Sequence, residues 1–114
     1  MSAYRLIRRD AFKRDLIDQY LAIYHEQPDA ADRFAQRVDA LIERIAEYPL
    51  SGHTWDPGGD PDESRLDRLR VLTVSGFKVM VFYQLRDDRI LFLRALHGSR
   101  GDMLEVLSEE LGSE

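Results

Sequence analysis

The sequence predicts an α+β domain, a mostly antiparallel sheet of about four strands carrying an N-terminal helical hairpin on one face and a short C-terminal helix, in the order β-α-α-β-β-β-α. Two observations carry that prediction. Apolar residues recur at helical spacing through the first half of the chain, where Pro28 divides two stripes. From Leu69 onward the spacing changes to three strand-like runs, Leu69 to Val74, Phe77 to Leu85 and Ile90 to His97, separated by Ser75-Gly76 and by Arg86-Asp87-Asp88-Arg89.

Tyr4-Arg5-Leu6-Ile7-Arg8 reads as a short first strand, and Asp10 is placed to cap the helix that follows. That helix carries Phe12, Leu16, Tyr20, Ile23 and Tyr24 and ends before Pro28. The second starts near Pro28 or Asp29, where proline suits a first turn and an acid complements the positive helix end. Its stripe is Phe34, Val38, Leu41, Ile45 and Tyr48, and Pro49 stops it. With only Glu26-Gln27 between them, the helices form an antiparallel hairpin whose aromatic residues, Tyr20, Tyr24 and Phe34 among them, are expected in the core.

Residues 49–64 read as a loop, because Gly52, Pro57-Gly58-Gly59 and Pro61 leave no uninterrupted run, and Trp55 is expected to cap the core edge. In the second run of the meander Phe77, Val79, Val81, Tyr83 and Leu85 share one face, opposite Lys78, Met80, Phe82 and Gln84. Regular alternation in the last run sets Ile90, Phe92, Arg94 and Leu96 against Leu91, Leu93, Ala95 and His97, so Arg94 and His97 point to opposite faces. Met103, Leu104, Val106, Leu107 and Leu111 then form a final short helix.

The 114 residues suit one domain spanning 1–114, large enough for a core without staples. There is no cysteine, which removes disulfides, thiolate metal sites and cysteine nucleophiles and suits a reducing cytoplasm. No apolar run approaches the roughly 20 residues of a membrane span, and no signal-peptide pattern opens the chain, so a soluble cytoplasmic protein without membrane contact is expected. Asp56, Asp60, Asp62 and Glu63 miss calcium-loop spacing, and Gly58-Gly59 lacks the rest of a phosphate loop. Neither a metal nor a cofactor is expected.

The net charge of −5 is unevenly distributed. Residues 65–100 hold 8 basic and 3 acidic groups, while residues 49–64 hold only 4 acids and residues 101–114 only 5. The strand region is thus a positive segment between two acidic ones, and Arg65, Arg68, Arg70, Arg94 and Arg100 are its candidate binding cations. Arg94 follows four apolar residues and must reach an edge, a pocket mouth or a carboxylate, with Asp102 one candidate partner. His97 has the chemistry of a general acid or base, and equally that of a turn-capping residue before Gly98.

Leu69-Arg70-Val71, Val74-Ser75-Gly76-Phe77, Val81-Phe82-Tyr83 and Arg94-Ala95-Leu96-His97-Gly98-Ser99-Arg100, with the element order, resemble the RelE/ParE superfamily of toxins from type II toxin-antitoxin systems, in its ParE-like (plasmid stabilisation) branch. Ala95 stands where that pattern has valine, and Gly101 comes between Arg100 and Asp102. The resemblance implies a toxin that poisons DNA gyrase by binding it, with no active site required. It also implies a cognate antitoxin that folds a flexible segment over the helices and sheet edge in a toxin-antitoxin hetero-oligomer.

Two other readings stay open. The RelE branch cuts messenger RNA on the ribosome, and Lys78, His97 and Arg100 are the residues here that could serve such chemistry. The tyrosine of that branch has no counterpart after Arg100, where Met103, Leu104 and Val106 stand. The remaining reading is an interaction module of the same fold without toxicity.

Overall fold

A computed structural model describes residues 4–55 and 69–112. Its elements are β1 (Arg5–Arg8), α1 (Asp10–Glu26), α2 (Pro28–Glu47), β2 (His53–Thr54), β3 (Arg70–Val74), β4 (Val79–Arg86), β5 (Arg89–His97) and α3 (Met103–Gly112). They make a five-stranded sheet in the order β1-β5-β4-β3-β2. The meander β3-β4-β5 is antiparallel, as its short turns dictate, whereas β1 lies parallel to β5, with Leu6 opposite Ile90 and Arg8 opposite Phe92.

Both faces of the sheet are covered. The α1–α2 hairpin packs on one, where Phe12, Phe34, Val38 and Ile45 meet Val79, Val81, Tyr83, Ile90 and Phe92. On the other, Val106 and Leu107 of α3 meet Leu69, Phe82, Leu93 and Leu96. Trp55 closes this second cluster with its ring edge-on to Phe82, centroids 5.4 Å apart. The alternation expected for the second run of the meander is therefore the division between the two cores.

Several local expectations are corrected. Asp10 is the first residue of α1, not its cap; the cap position is Arg9, without a side-chain hydrogen bond, and Asp10 complements the helix dipole from the first turn. Tyr24 and Tyr48 are 49% and 60% exposed, so the aromatic stripes are only partly core. Tyr24 lies in the last turn of α1 and Tyr48 just beyond α2. A two-residue strand, β2, forms inside the expected loop by pairing His53 with Val71 and Thr54 with Arg70. The loop is pinned by the buried Tyr83 hydroxyl, which donates to Pro49 O (2.8 Å) and accepts from Gly52 N–H (2.9 Å). Burial raises the phenol's pKa against that hydrogen bond.

Lys78 belongs to a turn instead of a strand, with φ 57°, and Gly76 beside it has φ 85°. A Cβ on Gly76 would stand 2.5 Å from Arg37 Nη1. That nitrogen donates to Ser75 O at 2.8 Å, and the guanidinium lies 5.6 Å from the centre of the Phe77 ring.

The last strand is not regular. Phe82 is opposite Arg94 but Tyr83 is opposite Phe92, so Leu93 is an extra residue, a bulge. Phe92 and Ala95 both join the hairpin core, and Leu96 goes to the α3 core instead of sharing a face with Phe92 as alternation predicts.

Candidate functional site

The site begins where β1 ends. Pairing covers the outer edge of β5 only as far as Phe92, whose carbonyl accepts Arg9 N–H at 3.1 Å. Beyond that point α1 lies against β5 and brings Asp15, one helical turn from Phe12, to the uncovered edge. Asp15 is 8% exposed. Its Oδ2 accepts the Ala95 N–H at 2.9 Å, and both carboxylate oxygens accept from Arg94, Nε at 2.7 Å and Nη2 at 2.9 Å. One carboxylate thus supplies the acceptor a neighbouring strand would have provided and neutralises the cation that the bulge delivers. The pair raises the Arg94 pKa, foremost through the Asp15 hydrogen bond and against desolvation, with Glu110 and Asp102 adding to it.

Asp102, the carboxylate suggested for Arg94 by the sequence, pairs with Arg100, whose Nε is 2.5 Å from Oδ1. Both members are substantially exposed, and each favours the charged form of the other: Asp102 is held below the usual carboxylate range and Arg100 is raised. A third pair, Arg9 to Glu110, joins the start of α1 to α3, with Arg9 Nη1 2.9 Å from Oε2 and 3.0 Å from the Glu110 carbonyl. Around it a cleft of about 480 Å³ is lined by Arg8, Arg9, Asp10, Ala11, Arg14 and Glu110. Arg8 and Arg14 are exposed there.

Of the cations read from the sequence, Arg94 and Arg100 come together and Arg70 does not join them. Arg70 lies on β3, with β4 between it and β5, and its Nη1 donates to Gly52 O at 2.9 Å, tying the strand to the loop after α2. Arg65 and Arg68 fall outside the described residues, as do Asp56, Asp60, Asp62 and Glu63. The residues considered for RNA cleavage do not form one constellation either. His97 and Lys78 are backbone neighbours, since Gly98 N–H donates to Lys78 O at 2.7 Å. The His97 Nδ1 is engaged by Ser99, accepting its N–H at 3.2 Å and lying 2.7 Å from its Oγ. Lys78 faces a cleft with Glu26 and Gln27 at the hairpin tip, while Arg100 turns to Asp102.

Sequence reasoning missed Asp15, Glu110 and the cations Arg8, Arg9 and Arg14. For Asp15 a signal existed: a carboxylate beside Phe12 and Leu16 on the stripe that packs on the sheet requires a buried partner. For the N-terminal arginines the missing information was the parallel seating of β1 beside β5.

Residues 6–101 match the family described as ParE toxin of type II toxin-antitoxin system, parDE. The chain belongs to the ParE toxin family. Among solved structures, one described as the chromosomal ParDE TA system from P. aeruginosa aligns with this ParE-family chain at TM-score 0.65 and 16% identity, covering 85% of this chain and 98% of that one. At that identity the likeness speaks for the fold. No curated protein matches the chain in sequence. The ParE match runs from within β1 past the end of β5, and so contains every member of the Asp15–Arg94–Ala95 cluster.

Proposed function

We propose that this ParE-family toxin arrests growth by binding DNA gyrase in the cytoplasm, and that a cognate antitoxin neutralises it in a toxin-antitoxin complex. The observation that carries the reading is the family match over residues 6–101. The geometry supports action by binding. The His97 Nδ1 is engaged by Ser99, Arg100 is paired with Asp102 and Lys78 sits in a turn beside the hairpin tip, so the three residues considered for RNA cleavage share no acid-base arrangement among the described residues. Arg8, Arg14 and Arg100 remain as exposed cations around the start of α1 and the end of β5, suited to a target that holds DNA.

The test is inducible expression read in two ways, with purified gyrase supercoiling beside it. Growth arrest with a DNA-damage response, inhibited supercoiling and intact messages is the expected result. Cleaved messages with unaffected gyrase would replace this reading by ribosome-dependent RNA cleavage, and harmless expression would leave a non-toxic interaction module.

A further inference from the structure

We propose that Arg5, Arg89 and Arg86, side by side on β1, β5 and β4, bind a run of consecutive phosphates, in a nucleic-acid backbone or a free polyphosphate. The inference rests on the sheet register alone and is independent of what the toxin acts on.

The register builds the row. Arg5 of β1 is opposite Arg89 of β5, and Arg89 is opposite Arg86 of β4. Their neighbours fix the face: Leu6, Ile90 and Leu85 go to the hairpin core while Ile7 and Leu91 go to the α3 core, so alternation sends all three arginines to the α3 side of the sheet. Strand spacing sets them about 5 Å apart, in a row about 10 Å long. Arg5 N–H donates to Asp88 O at 2.8 Å, which fixes β1 at this level before any ligand arrives. Arg5 is exposed, and Arg86 and Arg89 are half-buried. The row lies at the opposite end of β5 from His97 and Arg100.

Stability does not account for this row. Like charges directly opposite one another destabilise a sheet, and here two such pairs are adjacent. Charge on an outer strand deters pairing with other chains, which suffices for Arg5, but β5 is paired on both sides at this level, so Arg89 deters nothing. Nor is the charge neutralised internally at Arg5 and Arg89, which have no carboxylate partner among the described residues. Asp87 and Asp88, exposed in the turn that joins β4 to β5, form no ion pair with them. An anion laid along the row relieves the repulsion that the fold leaves in place, and the planar fork of each guanidinium suits phosphate oxygens. The length of the row selects a run of phosphates over a single one. Such a run carries charge at every unit, whereas an extended acidic peptide sends successive carboxylates to opposite faces, so fewer of them would meet a row this short.

The probe is a short labelled single-stranded oligonucleotide of mixed sequence, read by fluorescence anisotropy on the purified full chain. Inorganic tripolyphosphate and polyglutamate are separate arms, read by calorimetry. The oligonucleotide is expected to bind with a log–log salt slope of about −2, the value for three phosphate contacts on a single strand. Arg5→Gln combined with Arg89→Gln should weaken binding by about tenfold or more, while the charge-matched pair Arg33→Gln and Arg44→Gln, at exposed positions of α2, leaves it within about twofold. By circular dichroism the first variant should melt no lower than the parent chain, because it removes facing like charges. Binding of the oligonucleotide assigns the row to a nucleic-acid backbone, binding of tripolyphosphate alone assigns it to a free phosphate chain, and either supports the proposal. Failure of both to bind, equal or tighter binding of polyglutamate, equal loss of binding in the two variants, or a lowered melting temperature in the Arg5 and Arg89 variant would overturn it. None of these readouts involves gyrase, so failure here is distinguishable from failure of the proposed function.

Discussion

Asp15 closes a sheet edge and neutralises a cation at once, which makes Arg94 first of all a structural residue. Removing Arg94 leaves a carboxylate that is 8% exposed with the Ala95 N–H as its remaining donor. Arg94→Ala is therefore expected to cost about 3 kcal/mol, the magnitude for breaking one partner out of a buried pair, and to lower Tm by about 10 °C. Toxicity should fall in parallel. The double substitution Asp15→Ala with Arg94→Ala should cost less than the sum of the single changes, because it strands no charge. Lost toxicity at unchanged Tm would move Arg94 to the target surface. The need for a partner was legible in the sequence, since Arg94 follows four apolar residues. The partner was not: Asp15 is 79 positions away, and a guanidinium's choice among carboxylates depends on which helix is laid beside its strand.

At the scale of elements, α1, α2, α3 and the β3-β4-β5 meander were readable because apolar periodicity is a local property of the chain. Two features were not. β2 is two residues long and exists because the loop is held against β3 by Tyr83, Arg70 and Trp55, which no run of β-formers announces. The bulge at Leu93 is invisible because every residue from Ile90 to Leu93 is apolar, so no polar position marks where the alternation slips. The short α3 covers a whole face of the sheet through few side chains, and each matters accordingly. Leu107, 1% exposed, is expected to cost about 2–4 kcal/mol when replaced by alanine, measured by denaturant or thermal unfolding. A loss well under 1 kcal/mol would mean that α3 is not seated on the sheet as described.

For the whole molecule, charge is set by the sheet order. A chain with a net charge of −5 still gathers Arg8, Arg9 and Arg14 around one cleft, because β1 runs parallel to β5 and delivers the start of α1 beside Phe92, while Arg94 and Arg100 lie farther along and just past that strand. Three of these are exposed, and Arg100 and Asp102 pair in solvent, where screening leaves an ion pair little weight in stability. Replacing Arg8, Arg14 and Arg100 together by alanine should consequently leave Tm nearly unchanged while weakening growth arrest in a plating assay. Undiminished toxicity would remove this surface from target contact.

By itself the sequence determined the element types, their order and the family resemblance, all carried by short-range pattern: helical spacing, strand alternation, turn residues and contiguous motifs. It also determined that the last strand holds a charge in need of an acceptor. Only the tertiary structure decided which carboxylate answers Arg94, that α3 covers the face opposite the hairpin, and that Arg70 and Arg94 are kept apart by β4. These depend on which strands become neighbours and where a register slips, and such long-range pairings are set by the packing of the whole core, not by any one segment of the chain.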